Sequence, residues 1–162
     1  MPNTDALPKL LPLVPSQLAA VEPRDDIWLS ASAGTGKTQV LTARVIRLLL
    51  TEGVRPENLL CITFTKAGAA EMSERINRQL AAWVQKKDSE IASDLQAIGA
   101  DYGPEAKIKA RQLFASVLDA PGGGLQIMTI HSFCQSILGS FPEEAGLVPG
   151  FKAIEGREQA QL

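Results

Sequence analysis

The residues with the clearest chemistry form a glycine-rich segment in the first quarter of the chain. In order they are Ala31, Ser32, Ala33, Gly34, Thr35, Gly36, Lys37 and Thr38. They fit the phosphate-binding pattern GxxxxGK[ST], known as Walker A, except at its first position, which Ala31 fills. Glycine permits the backbone conformations that turn successive N–H groups toward one anion. We therefore expect all eight residues to form a nucleotide site, where Lys37 reaches the β- and γ-phosphates and Thr38 holds Mg²⁺.

The elements around this loop decide between a phosphate site and a glycine-rich turn that binds nothing. Residues 27–31, IWLSA, form a short apolar run that predicts a buried strand. After the loop, apolar residues recur at helical spacing from Lys37 to Glu52. A helix that begins at the loop directs the positive end of its dipole at a bound anion. This order favours nucleotide binding, with Lys37 and Thr38 as the candidate catalytic residues.

A glutamine precedes the loop by fourteen residues. This residue, Gln17, lies in a short predicted helix, residues 17–21, which Ser16 can cap and Pro23 ends. A glutamine amide both donates and accepts hydrogen bonds, so it can contact N6 and N7 of adenine together. A glutamine that follows a Pro-Ser turn is more often solvated helix surface, so Gln17 becomes a candidate only together with other motifs.

The rest of the chain alternates strands and helices. Further strands are predicted at 59–64 and 125–129, and further helices at 66–85, 104–118 and 131–140. Successive strand–helix units with buried strands predict an α/β fold, a parallel sheet with helices on both faces and right-handed crossovers. Residues 86–103 are polar and lose the apolar rhythm, so we expect an irregular or partly helical insertion with a mobile portion.

Four motifs follow one another along the chain. They are Gln17, the loop at 31–38, residues 62–72 (ITFTKAGAAEM) and residues 129–134 (TIHSFC). Together they resemble the start of a superfamily-1A helicase of the UvrD/Rep type, over residues 16–140. More narrowly they resemble the N-terminal region of the AddA family, RecB-like helicase-nucleases of double-strand-break repair.

The resemblance has consequences for the fold, the cofactors and the partners. It implies a RecA-like P-loop NTPase fold, with ATP and Mg²⁺ as cofactors. For the parent protein it implies single-stranded DNA as a partner, and a second nuclease or helicase subunit in an AddAB-like complex. It also implies that Gln17 contacts adenine and that DNA is bound by Thr63, Phe64, Thr65, Lys66, Thr129, His131 and Ser132.

The second motif departs from the family pattern. UvrD-type proteins have TNKAAxEM, whereas this chain has TKAGAAEM, so the asparagine is missing and Lys66 stands one place earlier. Which residue approaches the DNA backbone therefore stays open. On residue type alone, Phe64 at a strand end is more often core than base-stacking, and His131 is more often a helix-start or core residue.

Composition limits the possible partners and sites. The formal net charge of -2 gives no basic footprint, so any nucleic-acid contact must be local. Arg44 and Arg47, on the helix after the loop, are assigned to its solvated surface. Cys61 and Cys134 lack metal-type spacing, and their apolar neighbours predict buried free thiols in a reducing, cytoplasmic compartment. No segment approaches the ~20 apolar residues of a membrane span, so we expect no membrane partner.

Hydrolysis of ATP by this class needs a strand that ends in acidic residues, which hold Mg²⁺ and activate water. The adjacent acidic pairs, at 25–26 and 143–144, do not follow an apolar strand. We therefore expect the chain to be the N-terminal part of a larger protein, with weakened nucleotide binding and no appreciable hydrolysis.

The expected organisation is a lead-in at 1–15, a partial RecA-like domain at 16–141 and a tail at 142–162. Other functions remain open, namely a non-motor P-loop module, a small-molecule kinase or a purely structural α/β module. The acidic stretch at 86–103 lacks the arginine-rich lid that a kinase needs, and the loop at 31–38 argues against a structural module.

Overall fold

A two-stranded parallel sheet and six α-helices make up the part of the chain that the computed structural model describes, residues 7–30, 32, 34, 36–122 and 124–151. The strands are β1 (Leu60–Thr63) and β2 (Gln126–Thr129). The helices are α1 (Pro15–Ala20), α2 (Lys37–Leu50), α3 (Lys66–Gln85), α4 (Asp88–Ala97), α5 (Pro104–Leu118) and α6 (Ile130–Ser140). A short 3-10 helix, Pro56–Asn58, precedes β1.

The sheet has the parallel pairing that the sequence predicts. Leu60 pairs with Gln126 at one end of the ladder, and Thr63 pairs with Thr129 at the other. Parallel strands need a long connection to return the chain to the same edge, and here α3, α4 and α5 supply it. The α/β class is therefore confirmed.

The helix limits follow from local capping chemistry. At the start of α3, the Thr65 hydroxyl accepts a hydrogen bond from the Gly68 N–H at 3.0 Å. At the start of α6, the Thr129 hydroxyl accepts from the Ser132 N–H at 3.1 Å. Such caps satisfy N–H groups that have no partner inside the helix. The predicted helices at 66–85, 104–118 and 131–140 are confirmed within a residue or so.

The first helix is shifted from its predicted position. It begins at Pro15, and Val14 rather than Ser16 occupies the capping position. Proline is favoured at the first helical residue, because its missing N–H would have no partner there anyway. The Gln17 Oε1 accepts a hydrogen bond from the Val14 N–H at 3.1 Å, while no side chain at the capping position accepts from a helix N–H.

The predicted strand at 27–31 is wrong for the residues that are described. Residues 27–30 form no strand, and the Trp28 side chain is 94% exposed. A short apolar run becomes a strand only where a neighbouring strand can pair with it, and no other described segment pairs with this run. Ala31 lies outside the described residues.

The segment at 86–103 was expected to be irregular or partly helical, and it is partly helical, with a regular helix at its centre. In α4 and just after it, Ile91, Leu95 and Ile98 are buried at helical spacing. Asp94 stands on the same face and is 1% exposed. A charged residue inside the apolar stripe broke the pattern, which is why the sequence did not decide between an irregular and a partly helical segment.

One face of the sheet packs on the core, and the other is open. Cys61 and Ile127 pack against the buried cluster, whose largest members include Ile46, Leu80 and Trp83. On the other face of β1, Leu60 and Ile62 are 45% and 48% exposed. The expected cover of helices on both faces is therefore incomplete in the described part of the chain.

Candidate functional site

The candidate phosphate loop has, at its described glycines, the backbone that glycine was expected to permit. Gly34 and Gly36 have φ angles of 79° and 83°, in the left-handed region that residues with a Cβ rarely enter. Gly36 occupies the capping position of α2, so the N-terminus of this helix opens directly onto the loop. The other loop residues that were predicted to contact phosphate, at 31, 33 and 35, lie outside the described part.

Lys37 lies across this loop. Its Nζ donates a hydrogen bond to the Ser32 carbonyl oxygen at 2.6 Å, which keeps the ammonium on the loop side of α2. Thr38 follows in the first turn of the helix and is half-buried. The predicted phosphate and magnesium residues therefore stand next to each other, where the helix dipole also favours an anion.

The structure brings Gln17 to the same loop. Its Nε2 lies 3.6 Å from the position that a Cβ on Gly36 would occupy. Because the Gln17 Oε1 accepts from the Val14 N–H, the amide is oriented rather than free to rotate. Gln17, Ser30 and Lys37 line one cavity of about 260 Å³. Residues far apart in the sequence thus form a single concave site.

Two arginines hold the end of the helix that carries Gln17. Arg44 donates to the carbonyl oxygens of Ala20 at 3.2 Å, Glu22 at 2.8 Å and Asp25 at 2.7 Å. Arg47 forms an ion pair with Glu22 at 2.9 Å. The expectation that both arginines belong to the solvated surface is wrong. The spacing of Arg44 and Arg47 in the sequence did not indicate these contacts, because most of their partners are backbone oxygens of a turn.

Thr38 is suited to hold Mg²⁺ as one ligand among several. Magnesium bound with a nucleotide takes phosphate oxygens and water, together with only one or two protein oxygens. A hydroxyl at the first turn of α2 fits that donor set. Among the described residues, no group of three or more His, Cys, Asp or Glu side chains could hold a metal on its own.

The second group of candidate residues gathers where both strands end. Thr63 and Thr129 are the last residues of β1 and β2 and are paired in register. In parallel sheets, ligands bind beyond the carboxyl ends of the strands. The third and fourth motifs, which are far apart in the sequence, therefore share one edge of the sheet.

At this edge Phe64 and His131 are both exposed. Phe64 follows β1 directly and is 89% exposed, and Lys66 begins α3 beside it. His131 is exposed in the first turn of α6. On residue type Phe64 was expected in the core, which is wrong. His131 was expected at a helix start or in the core, and it lies at the start of α6. A large aromatic ring in water at a strand end is the arrangement that base stacking requires.

The threonines and the serine of these motifs also have structural roles. Thr65 caps α3, while Thr129 is buried and caps α6. The Thr129 and Ser132 hydroxyl oxygens lie 2.9 Å apart. These residues fix the backbone from which Phe64 and His131 project.

Gly68 stands in the second motif where the usual pattern has an alanine, and the structure leaves little room there for a Cβ. A Cβ at this position would lie 3.0 Å from both the Thr63 and the Thr65 Oγ1 atoms. That distance is tighter than nearly all Cβ contacts, so alanine would push on the strand end or the helix cap. The sequence offered one signal for this, a glycine inside an otherwise favourable helix.

The two cysteines occupy different environments. Cys61 is half-buried in β1, and burial raises the pKa of its thiol. Cys134 is exposed on α6, so the expectation of a buried thiol is wrong there. The apolar neighbours of Cys134 suggested burial, but α6 has no buried residue. None of the described helices is both long enough and apolar enough to cross a membrane.

Comparison with known proteins identifies the family of the chain. The UvrD/REP helicase N-terminal domain family matches residues 13–162. An ATP-dependent helicase/nuclease subunit (AddA) from Latilactobacillus sakei is 41% identical over 149 residues, which cover 91% of this chain and 14% of that protein. The protein of the same name from Pelotomaculum thermopropionicum is 37% identical over 150 residues, 90% of this chain and 10% of that protein. The chain therefore spans a small part of these curated relatives, and it belongs to the UvrD/Rep helicase N-terminal domain family.

Proposed function

We propose that this chain is the ATP-binding segment of an AddA-like, ATP-dependent DNA helicase that acts in double-strand-break repair and recombination. One observation carries the proposal, the convergence of Gln17 and Lys37 on one cavity beside the left-handed glycines Gly34 and Gly36. The relatives are named as subunits of an ATP-dependent helicase/nuclease, which supports the same function and a partner subunit in an AddAB-like complex.

The site would divide the recognition of ATP between its two ends. Gln17 would contact the adenine edge, because its oriented amide faces the loop. The backbone N–H groups after Gly34 and Gly36 would surround the phosphates, while Lys37 would exchange the Ser32 carbonyl for a phosphate oxygen. Mg²⁺, held partly by Thr38, would neutralise phosphate charge. We infer a RecA-like P-loop NTPase fold from this arrangement.

The strand ends would bind single-stranded DNA. Phe64 offers an exposed ring for a base, and Lys66 places a positive charge beside it. Thr63, Thr65, Thr129 and Ser132 would position these side chains, and His131 would contact the DNA from α6. Because β1 ends at this surface, α3 begins there, and α3 contacts α2, DNA and nucleotide would be bound by adjoining elements.

In this proposal the described residues would supply only part of what ATP hydrolysis needs. Lys37 and Thr38 would bind the phosphates and the magnesium ion, but activation of water needs a carboxylate at the end of a neighbouring strand. Neither β1 nor β2 ends in an acidic residue. We therefore infer that the segment binds ATP and does not hydrolyse it appreciably.

Titration of the chain with a fluorescent ADP analogue in the presence of Mg²⁺ tests nucleotide binding. Lys37→Ala should weaken binding at least about tenfold, since a hydrogen bond between a charged group and phosphate is removed. Lys87→Ala removes the same charge from an exposed position at α4 and serves as the matched control. Equal affinities of the wild type and Lys37→Ala would contradict the phosphate site.

A further inference from the structure

A buried polar cluster surrounds a carboxylate on α4, outside the strand-end motifs. Asp94 accepts hydrogen bonds through its Oδ2 from Trp83 Nε1 at 2.9 Å, Gln79 Nε2 at 2.9 Å and Lys86 Nζ at 2.5 Å. Its other oxygen, Oδ1, accepts from the Leu10 N–H at 3.1 Å. The carboxylate is therefore fully engaged, and one of its contacts reaches the N-terminal part of the chain.

The same region holds the N-terminal arm, which we define as residues 7–14. Lys86, whose side chain is 4% exposed, donates to the Pro8 carbonyl oxygen as well as to Asp94. Further along, the Leu13 N–H donates to the Ala97 carbonyl oxygen at 3.0 Å. The arm is thus attached at three points to α4 and to the segment that precedes it.

The attachment of the arm extends to the helix that carries Gln17. Gly99, just after α4, has a φ of 69°, and a Cβ there would lie 2.9 Å from Leu18 Cδ2. A Cβ at this position would force the Leu18 side chain to shift, and the positive φ would strain any residue other than glycine. Because α1 has six residues, far below the ~12–15 at which an isolated helix is even marginally stable, its position depends on such contacts.

We propose that the Lys86–Asp94 pair and Gly99 are positioning residues for Gln17, and that they set the preference of the site for adenine over guanine. This inference rests on the proposed function. The connection is direct, because Val14 ends the arm and its N–H orients the Gln17 amide. Guanine presents O6 where adenine presents its N6 amino group, so only a correctly placed amide distinguishes the two bases.

A stabilising role alone does not account for this arrangement. Buried ion pairs are weak contributors to stability, since desolvation offsets most of their attraction, and apolar replacements often stabilise as well. What an ion pair adds is fixed geometry. Here the fixed groups include a backbone N–H and a backbone carbonyl of the arm, besides the Gln79 and Trp83 side chains of α3.

The test measures base selectivity rather than affinity alone. ATP and GTP compete with the fluorescent ADP analogue for the chain, and the ratio of their affinities is compared between variants. Asp94→Asn should lower the preference for ATP about fivefold, the factor that one net hydrogen bond supplies, and leave GTP affinity unchanged. Gln17→Ala should lower the preference for ATP by the same factor. The double variant should show no further loss of preference, because both substitutions act on the same adenine contact.

Val117→Ala is the matched control. It shortens a buried side chain of α5 that takes no part in these contacts, and it should lower thermal stability without changing the ratio. If Asp94→Asn does not fold, Gly99→Ala is used, because it displaces Leu18 while the ion pair stays intact.

The outcomes separate the inference from the proposed function. Suppose that Gln17→Ala lowers the ratio of ATP to GTP affinity, but that Asp94→Asn or Gly99→Ala has the same ratio as Val117→Ala. That result overturns the positioning role and leaves the proposed function standing. Independent, additive losses for Gln17→Ala and Asp94→Asn also overturn it. A wild type that binds neither nucleotide overturns the proposed function.

Discussion

At the scale of single residues, the candidate site depends on a few side chains whose partners fix their direction. Gln17 is held by one backbone N–H, and Lys37 lies on one carbonyl oxygen. Residue type and spacing predicted Lys37 as a candidate, whereas Gln17 became a candidate only together with the other motifs. The roles of Arg44 and Asp94 were not predictable, because their partners include backbone groups that only folding brings near. The phosphate and base contacts themselves stay predictions.

The two thiols should react with iodoacetamide at very different rates. Burial raises the pKa of Cys61, so less thiolate is present at a given pH, and the half-buried side chain is also less accessible. Cys134 is exposed and should be modified first. Peptide mass spectrometry after brief labelling at about pH 8, near the ordinary thiol pKa, measures both rates. Labelling in urea, where the difference should vanish, is the control.

The raised pKa of Cys61 also makes the stability of the folded chain depend on pH. Because the folded-state pKa of Cys61 lies above that of the unfolded chain, the folded state holds this proton more tightly. The contribution of the protonated Cys61 thiol to folding stability is therefore present below the ordinary thiol pKa, and it is lost as the pH rises through the raised pKa. A Cys61 that labels as fast as Cys134 in the folded chain would contradict this environment.

At the scale of elements, caps and apolar spacing explain which predictions were confirmed. Helices α3 and α6 begin where a threonine can accept from the N–H three residues later. In contrast, the segment of α4 was predicted only as irregular or partly helical, without bounds, because Asp94 interrupts its apolar stripe. The run at 27–30 was predicted as a strand because periodicity cannot show whether a pairing partner exists.

Loss of the α3 cap gives a measurable effect at this scale. Thr65→Ala should lower the free energy of unfolding by about 1 kcal/mol, since the Gly68 N–H loses its acceptor. Thr65→Ser keeps the hydroxyl and should restore most of that loss. Urea unfolding followed by circular dichroism compares the three proteins. Equal midpoints for the alanine and serine variants would show that the hydroxyl does not cap α3.

At the scale of the whole molecule, the described part combines one well-packed half with one open face. The core joins α2, α3, α4 and α5, whereas α6 has no buried residue and β1 exposes Leu60 and Ile62. The fold class was predictable from strand–helix alternation. The degree of cover was not, because apolar residues that lie on an open face have the same sequence pattern as buried ones.

The lack of acidic ends on the described strands leads to a prediction for the entire chain. Purified protein with saturating ATP, Mg²⁺ and single-stranded DNA should release phosphate no faster than the Lys37→Ala variant. The reason is that neither described strand provides a carboxylate to activate water. A coupled phosphate-release assay measures this. A steady rate that disappears in Lys37→Ala would show that the chain hydrolyses ATP alone.

The two tryptophans can serve as intrinsic fluorescence probes of two different regions of the chain. Trp28 is 94% exposed and stands two residues before Ser30, which lines the candidate nucleotide cavity. Trp83 is fully buried, and its indole N–H donates to Asp94. Iodide in the solvent therefore quenches one emitter and spares the other. Intrinsic fluorescence can thus follow events at the cavity through Trp28 and the integrity of the arm attachment through Trp83, with no added dye.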